Sequence, residues 1–135
     1  MEGRRIVALG SVLAGLGVVF GAFGAHGLRG RLSPDLLEVF EVAVRYQLYH
    51  AIALVLAGLL AMVGAQSRGA ARDDGTGAAA ACFALGIAVF CGSLYALAFT
   101  GLRWLGAITP LGGLAFIAGW FLLARAALRR PSCET

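Results

Sequence analysis

Long uncharged, apolar stretches alternate with short charged connectors along the whole chain of 135 residues. Four such stretches cover residues 6–27, 46–66, 78–100 and 104–124. A helix that crosses a bilayer needs about 20 predominantly apolar residues, each rising about 1.5 Å. Every stretch meets that length, and none alternates apolar with polar positions as a membrane β-strand does. The pattern therefore predicts an all-α fold: a single integral membrane domain, residues 1–135, with a four-transmembrane-helix bundle.

The connector between the first two stretches carries a helix pattern of its own. Ser33 suits an N-cap, Pro34 suits the first helical position, and Asp35 suits the positive end of the helix dipole. Apolar residues then recur on one face, and Glu41 and Arg45 are spaced for an ion pair one turn apart. We predict a short amphipathic helix, which either lies on the membrane surface or runs directly into the second span.

The amino-acid composition excludes several other classes of protein. Hydrophobic residues make up 60% of the chain and charged residues 13%, whereas soluble domains have about 45–50% and about 25%. This balance excludes an ordinary soluble enzyme, a disordered tail and a nucleic-acid-binding module. All eleven basic residues are Arg, and they lie at the ends of the apolar stretches rather than in one patch. We interpret them as determinants of topology in a lipid bilayer, with no nucleic acid as a partner.

The distribution of arginine predicts an orientation. With the N-terminus in the cytoplasm, seven arginines fall on the inner side and four on the outer side. The inner ones are Arg4, Arg5, Arg68, Arg72, Arg125, Arg129 and Arg130, and the outer ones are Arg29, Arg31, Arg45 and Arg103. Because cytoplasmic segments are richer in basic residues, we expect a multi-pass protein of the inner (plasma) membrane with both termini inside. The first span exceeds the apolar length of a signal peptide, so we expect it to be retained.

Small residues recur every four positions on three of the predicted spans. The candidates for helix packing are Gly17, Gly21, Ala53, Ala57 and Gly92. Such ridges let two helix backbones approach closely in lipid. They either close one four-helix bundle or also form a face for a homo-oligomer or another membrane protein.

The fourth span contains a proline close to its start. Pro110 has no N–H to donate to the carbonyl of Gly106, so we expect a kink there. The kink either serves packing alone or opens the backbone towards a small cavity.

Polar side chains within the spans concentrate towards one leaflet. Four lie about 6 to 10 Å inside the outer boundary at helical rise: His50, Ser93, Tyr95 and Thr109. Three more lie at or near that boundary: His26, Arg45 and Tyr49. A polar group in a membrane helix is costly and usually faces the bundle interior, so these seven residues form a hypothetical ligand-binding site. The alternative is structural, with rings and Arg45 as interfacial anchors and hydroxyls bonded to backbone carbonyls.

Other chemistry finds little support in the pattern. His26 is too shallow to help bury a haem, although histidine is a common axial ligand. The two histidines have no carboxylate near them within the spans, as a metal site would require. Ser93 and Cys91 lack the nucleophile elbow of a hydrolase, and none of the three cysteines has a CxxC partner. We therefore predict no cofactor, no metal and no catalytic residue.

Short motifs in the four spans point to one family. GAFGAHGL ends the first span, RYQLYHA opens the second, FCGSLY lies in the third, and ITPLGG followed by GW marks the fourth. In this order and spacing they resemble the YgdD/YwdK-like family of small bacterial inner-membrane proteins, which has distant eukaryotic relatives. The resemblance covers essentially the whole chain, with Cys91 in place of a small residue such as Ser. It implies a four-helix integral membrane protein and transfers no catalytic residue, because the family has no established activity.

Two functions from different classes remain. The first is a non-enzymatic structural or accessory membrane component that packs against copies of itself or a partner. The alternative is a small transporter, or a lipid- or quinone-type binding protein, in which the His50 imidazole could change its charge near neutral pH. Secondary transporters usually rest on internal repeats, and none is evident here, so a transporter would require a dimer or larger assembly. A membrane enzyme ranks third.

Overall fold

A computed structural model describes residues 3–68 and 75–128 of the chain. The α-helices of these residues are α1 Gly3–His26, α2 Pro34–Arg68, α3 Thr76–Gly86, α4 Gly92–Thr100 and α5 Thr109–Leu128. A π-helical segment, Ile87–Cys91, joins α3 to α4, and a 3-10 helix, Arg103–Ala107, precedes α5. Four of the residues considered above fall outside the described ones: Arg72, Arg129, Arg130 and Cys133.

Four helical stretches are long and apolar enough to cross a membrane. They are Gly3–His26, Pro34–Gln66, Thr76–Thr100 and Arg103–Leu128. The third combines α3, the π-helical segment and α4, and the fourth combines the 3-10 helix and α5. The predicted all-α fold with four membrane-spanning helices is therefore confirmed.

The amphipathic segment after the first span belongs to α2. The helix runs unbroken from Pro34 to Arg68, so the second of the two alternatives holds. Ser33 caps its start: its hydroxyl accepts the Leu36 N–H at 3.4 Å, and its carbonyl accepts the Leu37 N–H at 2.9 Å. The 35 residues of α2 extend about 52 Å, well beyond the roughly 30 Å hydrocarbon core. The first turns of α2 thus have room to reach the headgroup region.

The spans pack mainly on their neighbours in sequence. Helix α2 lies against α1 on one side and against α3 and α4 on the other, and α5 packs on α3 and the π-helical segment. The larger core cluster includes Leu54, Phe83 and Phe116. A smaller cluster, around Phe40 and Ala98, lies where α1 ends, α2 begins and α4 ends. Helix α2 is therefore the central element of the bundle.

Helix α1 meets α2 along glycines spaced seven residues apart, Gly3, Gly10, Gly17 and Gly24, which we call the α1–α2 seam. A Cβ at Gly10 would lie 2.8 Å from the Ala51 carbonyl oxygen, and one at Gly17 would lie 2.8 Å from a Leu48 methyl. Gly58 is the matching notch on α2, where a Cβ would lie 2.8 Å from the Val7 nitrogen. A repeat of seven keeps one face of a helix in contact with a neighbour that crosses it at a shallow left-handed angle.

The other predicted packing residues lie in different surroundings. A Cβ at Gly21 would lie 3.3 Å from Val44, and Ala53 and Ala57 are fully buried. Gly92 differs, because a Cβ there would meet no atom within 4 Å. In the part of the chain that the structure describes, a Cβ at Gly92 thus packs on no other helix.

Phenylalanine rings fill glycine notches between α3 and α5, which we call the α3–α5 seam. The Phe83 ring lies against Gly119, and the Phe116 ring lies against Gly86. At the π-helical segment glycine faces backbone and not a ring, because a Cβ at Gly112 would lie 2.8 Å from the Phe90 Cα.

The kink predicted at Pro110 takes another form. The fourth span is interrupted before the proline, where the 3-10 helix gives way to α5 at Thr109. Pro110 therefore lies in the first turn of α5, where helical N–H groups have no partner within the helix. Its missing N–H costs little there.

Candidate functional site

The structure does not gather the seven predicted polar residues into one site. Four of them lie inside the bundle, with two buried and two half-buried: His50, Ser93, Tyr95 and Thr109. The other three, His26, Arg45 and Tyr49, are exposed. The inner four instead form three separate contacts between helices.

The first contact joins α4, α2 and α1 through Gln47. The Tyr95 hydroxyl donates to the Gln47 side-chain oxygen at 2.8 Å, and the Gln47 amide nitrogen donates to the Leu13 carbonyl at 2.8 Å. Gln47 is only 3% exposed. The Tyr95 ring also meets the Phe20 ring edge-on, with centroids 5.2 Å apart. One amide therefore connects three helices.

Gln47 was missing from the predicted site. Its position carried a usable pattern, because Ala43, Gln47, His50 and Leu54 are spaced i, i+4, i+7 and i+11 on one face of α2. Ala43 and Leu54 are fully buried. A polar residue on such a face must lie in the core, and a buried amide has to find partners for both its oxygen and its nitrogen.

The second contact joins α4 to the start of α5. The hydroxyl oxygens of Ser93 and Thr109 lie 2.8 Å apart, and Thr109 is the donor because the one hydroxyl hydrogen of Ser93 goes to a backbone carbonyl. Ser93 also donates to the Phe90 carbonyl at 3.0 Å. Phe90 belongs to the π-helical segment, where the extra residue displaces the regular backbone pairing. The serine hydroxyl thus supplies a donor where the helix changes its winding.

The third contact is an aromatic cluster around His50. Its Nδ1 lies 2.7 Å from the Tyr46 carbonyl, and because a carbonyl only accepts, Nδ1 carries the hydrogen. The His50 ring stacks on Phe116, with centroids 3.4 Å apart and planes 9° from parallel. The ring centroids of Phe83 and Trp120 lie 5.9 Å and 6.1 Å from the centroid of the His50 ring. The His50 ring of α2 therefore packs among aromatic rings of α3 and α5.

These contacts satisfy the polar groups that the bundle encloses. Among residues 3–68 and 75–128, no buried side-chain nitrogen or oxygen lacks a hydrogen-bond partner. A ligand bound at Gln47, Tyr95, Ser93 or Thr109 would therefore compete with a bond that the protein already makes. Bonds of this kind between membrane helices contribute about 0.6 kcal/mol on average and at most about 1.7.

A groove lies elsewhere, between the end of α1 and the start of α2. It encloses about 210 Å³, and its lining, which defines the α1–α2 groove, is Gly21, Gly24, Ala25, Phe40, Glu41, Val44 and Arg45. The ion pair expected between Glu41 and Arg45 is not formed. In the described part of the chain no carboxylate oxygen lies within 4 Å of the Arg45 guanidinium. Both side chains are exposed, and holding two exposed side chains together gains little free energy.

Comparison with known proteins assigns the chain to a family. Residues 20–113 match the family model described as "Protein of unknown function (DUF423)". The chain is 45% identical over 120 residues to a UPF0382 membrane protein of Staphylococcus haemolyticus, which covers 89% of this chain and 92% of that relative. The chain belongs to the DUF423 family.

A second relative ties the DUF423 family to the predicted resemblance. The UPF0382 membrane protein YwdK of Bacillus subtilis is 42% identical over 126 residues, which cover 93% of this chain and 98% of YwdK. The predicted YgdD/YwdK-like membership is therefore confirmed. These relatives are named as membrane proteins without an activity, and no solved structure matches the chain. This DUF423 chain is thus an integral membrane protein of a family whose function is not established.

Proposed function

We propose that this DUF423 protein is a non-enzymatic structural or accessory component of the bacterial inner membrane. The use of its costly polar groups supports this role. Intramembrane polar residues of transporters and enzymes usually face a water-filled path or a substrate. Here Tyr95 bonds Gln47 and Ser93 bonds Thr109, each between two different helices. Gln47 and Ser93 also bond backbone carbonyls. Such bonds hold spans together and engage these four side chains with the protein itself.

The surface that the proposal gives to a partner lies on the third span. Ala88 and Gly92 are exposed, Ala96 is half-buried, and the three are spaced four residues apart. A small-residue ridge of this spacing suits close contact with another helix in lipid. The partner in this proposal is a second copy of the chain or another membrane protein.

The proposal places both termini in the cytoplasm. Its support is the excess of seven arginines over four in the connectors assigned to the inner side. Reporter fusions at each terminus test the orientation: a fluorescent protein is expected to mature at both ends, and an exported phosphatase is expected to be inactive at both. Phosphatase activity at either end would reject this topology.

Native mass spectrometry of the protein extracted from its own membranes in a mild detergent tests the accessory role. We expect a defined oligomer or a complex with another membrane protein, and no small molecule other than lipid. A stoichiometric non-lipid ligand would overturn the proposal in favour of a transporter or a quinone-type binding protein.

A matched pair of variants tests the surface. Gly92→Leu is expected to remove the partner while the monomer stays folded, because a Cβ at Gly92 meets no atom of the described residues within 4 Å. Gly15→Leu is the control, since Gly15 is an equally open glycine on α1. Loss of the partner in both variants, or in neither, would reject the third span as the partner surface.

A further inference from the structure

The α1–α2 groove combines an apolar floor with two unpaired charges. Its α1 wall, Gly21, Gly24 and Ala25, carries almost no side chain, so the groove is a strip of helix backbone beside the Phe40 ring. The Glu41 and Arg45 side chains border this strip and are exposed. Neither has an ionic partner within 4 Å in the residues that the structure describes. A ligand that fits both features is amphipathic and carries one charge of each sign.

The order of the two charges along α2 matches a phospholipid headgroup. Glu41 and Arg45 are four residues apart, which is about 6 Å along the helix axis. The uncharged part of α2 begins at Tyr46, so Arg45 lies nearer the hydrocarbon core and Glu41 nearer water. In an ethanolamine phospholipid the phosphate joins the glycerol and the ammonium lies further out. Phosphate at Arg45 and ammonium at Glu41 is therefore the order in which a lipid in the same leaflet presents them.

We infer that the α1–α2 groove binds one phospholipid whose headgroup carries a primary ammonium group, of the phosphatidylethanolamine type. The Arg45 guanidinium holds the phosphate, which its planar set of donors suits. The Glu41 carboxylate holds the ammonium. The glycerol lies beside Gly21, at the inner end of the groove, and the acyl chains continue past it along the apolar surface of α1 and α2.

Charge complementarity favours this occupant over two others. An anionic lipid such as phosphatidylglycerol satisfies Arg45 but brings no cation to Glu41. A second copy of the chain that laid an apolar part of its α1 on the strip would bring no charge to Glu41 or Arg45. The inference is independent of the accessory role, because a bound lipid neither requires nor excludes a partner at the Gly92 ridge.

Lipid titration followed by native mass spectrometry tests the site. The purified full chain is delipidated in mild detergent and titrated with phosphatidylethanolamine and phosphatidylglycerol of identical acyl chains. The wild-type protein is expected to retain one phosphatidylethanolamine about fivefold more tightly than phosphatidylglycerol, the upper range for one exposed ion pair. Equal retention of the two lipids, or no retained lipid, would overturn the inference.

Two variants separate the two charges. Glu41→Gln is expected to bring the ratio between the two lipids close to one while phosphatidylglycerol still binds as before. Arg45→Gln is expected to weaken both lipids about fivefold, because it removes the contact to the phosphate that they share. Glu38→Gln is the matched control, since Glu38 is exposed on the same helix and does not line the groove. A Glu38→Gln effect as large as that of Glu41→Gln would reject a specific site.

A charge exchange tests the depth order directly. Glu41→Arg combined with Arg45→Glu keeps both charges and reverses their positions. The exchange is expected to abolish the preference for phosphatidylethanolamine, because the phosphate would then lie beside a carboxylate. A preserved preference would mean that lipid binding depends on the net charge of the groove and not on the positions of its two charges. That result would contradict the proposed pose. Unchanged thermal unfolding of each variant establishes that the lipid effect does not come from misfolding.

Discussion

Glycine lines both the α1–α2 seam and the α3–α5 seam, but it serves different contacts in the two. In the α1–α2 seam it brings backbone to backbone at Gly10 and Gly58: a Cβ at Gly58 would lie 2.8 Å from the Val7 nitrogen and 2.9 Å from the Gly3 carbonyl oxygen. Gly17 and Gly24 of the same seam receive the Leu48 and Phe40 side chains. In the α3–α5 seam glycine receives rings, as where Phe83 lies against Gly119. Two spans in lipid gain little from hiding apolar surface, so contact density has to hold them together. The α1–α2 seam thus adds close backbone contacts to the kind of side-chain contact that the α3–α5 seam makes.

The difference predicts how each seam tolerates an added side chain. A backbone atom in a helix can move only if the helix moves, because its hydrogen bonds fix it. A phenyl ring can turn about its own side-chain bonds at a cost of about 1 kcal/mol. We therefore expect substitutions at Gly10 and Gly58 of the α1–α2 seam to separate helices and substitutions in the α3–α5 seam to shift side chains.

The largest effect is expected for Gly10→Leu in the α1–α2 seam. The new side chain would meet the Ala51 carbonyl oxygen and the Val55 backbone nitrogen, both within 2.9 Å of the added Cβ. We expect a loss of about 3 kcal/mol or more in the free energy of unfolding, because α1 cannot remain in place. Equilibrium unfolding in mixed micelles of mild detergent and dodecyl sulfate measures it.

The matched control for that variant is Gly15→Leu. Gly15 lies on the same helix, and a Cβ there meets no atom within 4 Å. Its unfolding free energy is expected to stay close to that of the wild type. Equal losses for both variants would mean that the effect comes from a leucine side chain anywhere on α1 and not from the contact with α2.

An intermediate effect is expected for Gly119→Ala in the α3–α5 seam. The added methyl would lie 2.7 Å from the Phe83 ring, which must turn or shift. We expect a loss of about 1 to 3 kcal/mol, in the range for overpacking that a side chain can relieve. Gly113→Ala is the control, because its nearest neighbour is the Phe90 ring at 3.8 Å. If Gly119→Ala destabilises as much as Gly10→Leu, the distinction between the two seams fails.

The spans could be predicted from the sequence, but the register of the packing could not. Length and the absence of charge determine where a helix can cross a membrane, and the structure confirms four such stretches. The ridge of Gly17 and Gly21 was found by a spacing of four, yet the seam follows a spacing of seven that includes Gly10 and Gly24. Both spacings lie on one side of a helix, and only the shape of α2 selects between them. The π-helical segment Ile87–Cys91 has no comparable local pattern, since its residues are uniformly apolar or sulfur-containing.

The polar residues show the same limit. Their depth followed from counting residues along each helix, but depth does not say which neighbour a side chain faces. Ser93 and Tyr95 lie two residues apart, which is about 200° around a helix. Ser93 consequently bonds Thr109 of α5, whereas Tyr95 bonds Gln47 of α2. Residues predicted as one lining thus serve two different helix pairs.

The smallest effect is expected for Tyr95→Phe, which tests a bond between the two seams. Losing the hydroxyl leaves the Gln47 oxygen without its donor while the ring keeps its contact with Phe20. Such bonds between membrane helices contribute about 0.6 kcal/mol on average and at most about 1.7. Tyr49→Phe, at an exposed hydroxyl, is the control and is expected to be neutral.

The same variant also sharpens the comparison of the seams when it is combined with Gly119→Ala. Tyr95 bonds Gln47 towards α1, and Gly119 lies against Phe83 on the far side of the bundle. If the two seams are independent, the losses of the two variants add within about 0.5 kcal/mol. A larger coupling would mean that α2 transmits strain from one seam to the other. The bundle would then respond as one unit, and the separation into a backbone contact and a ring contact would describe geometry but not energy.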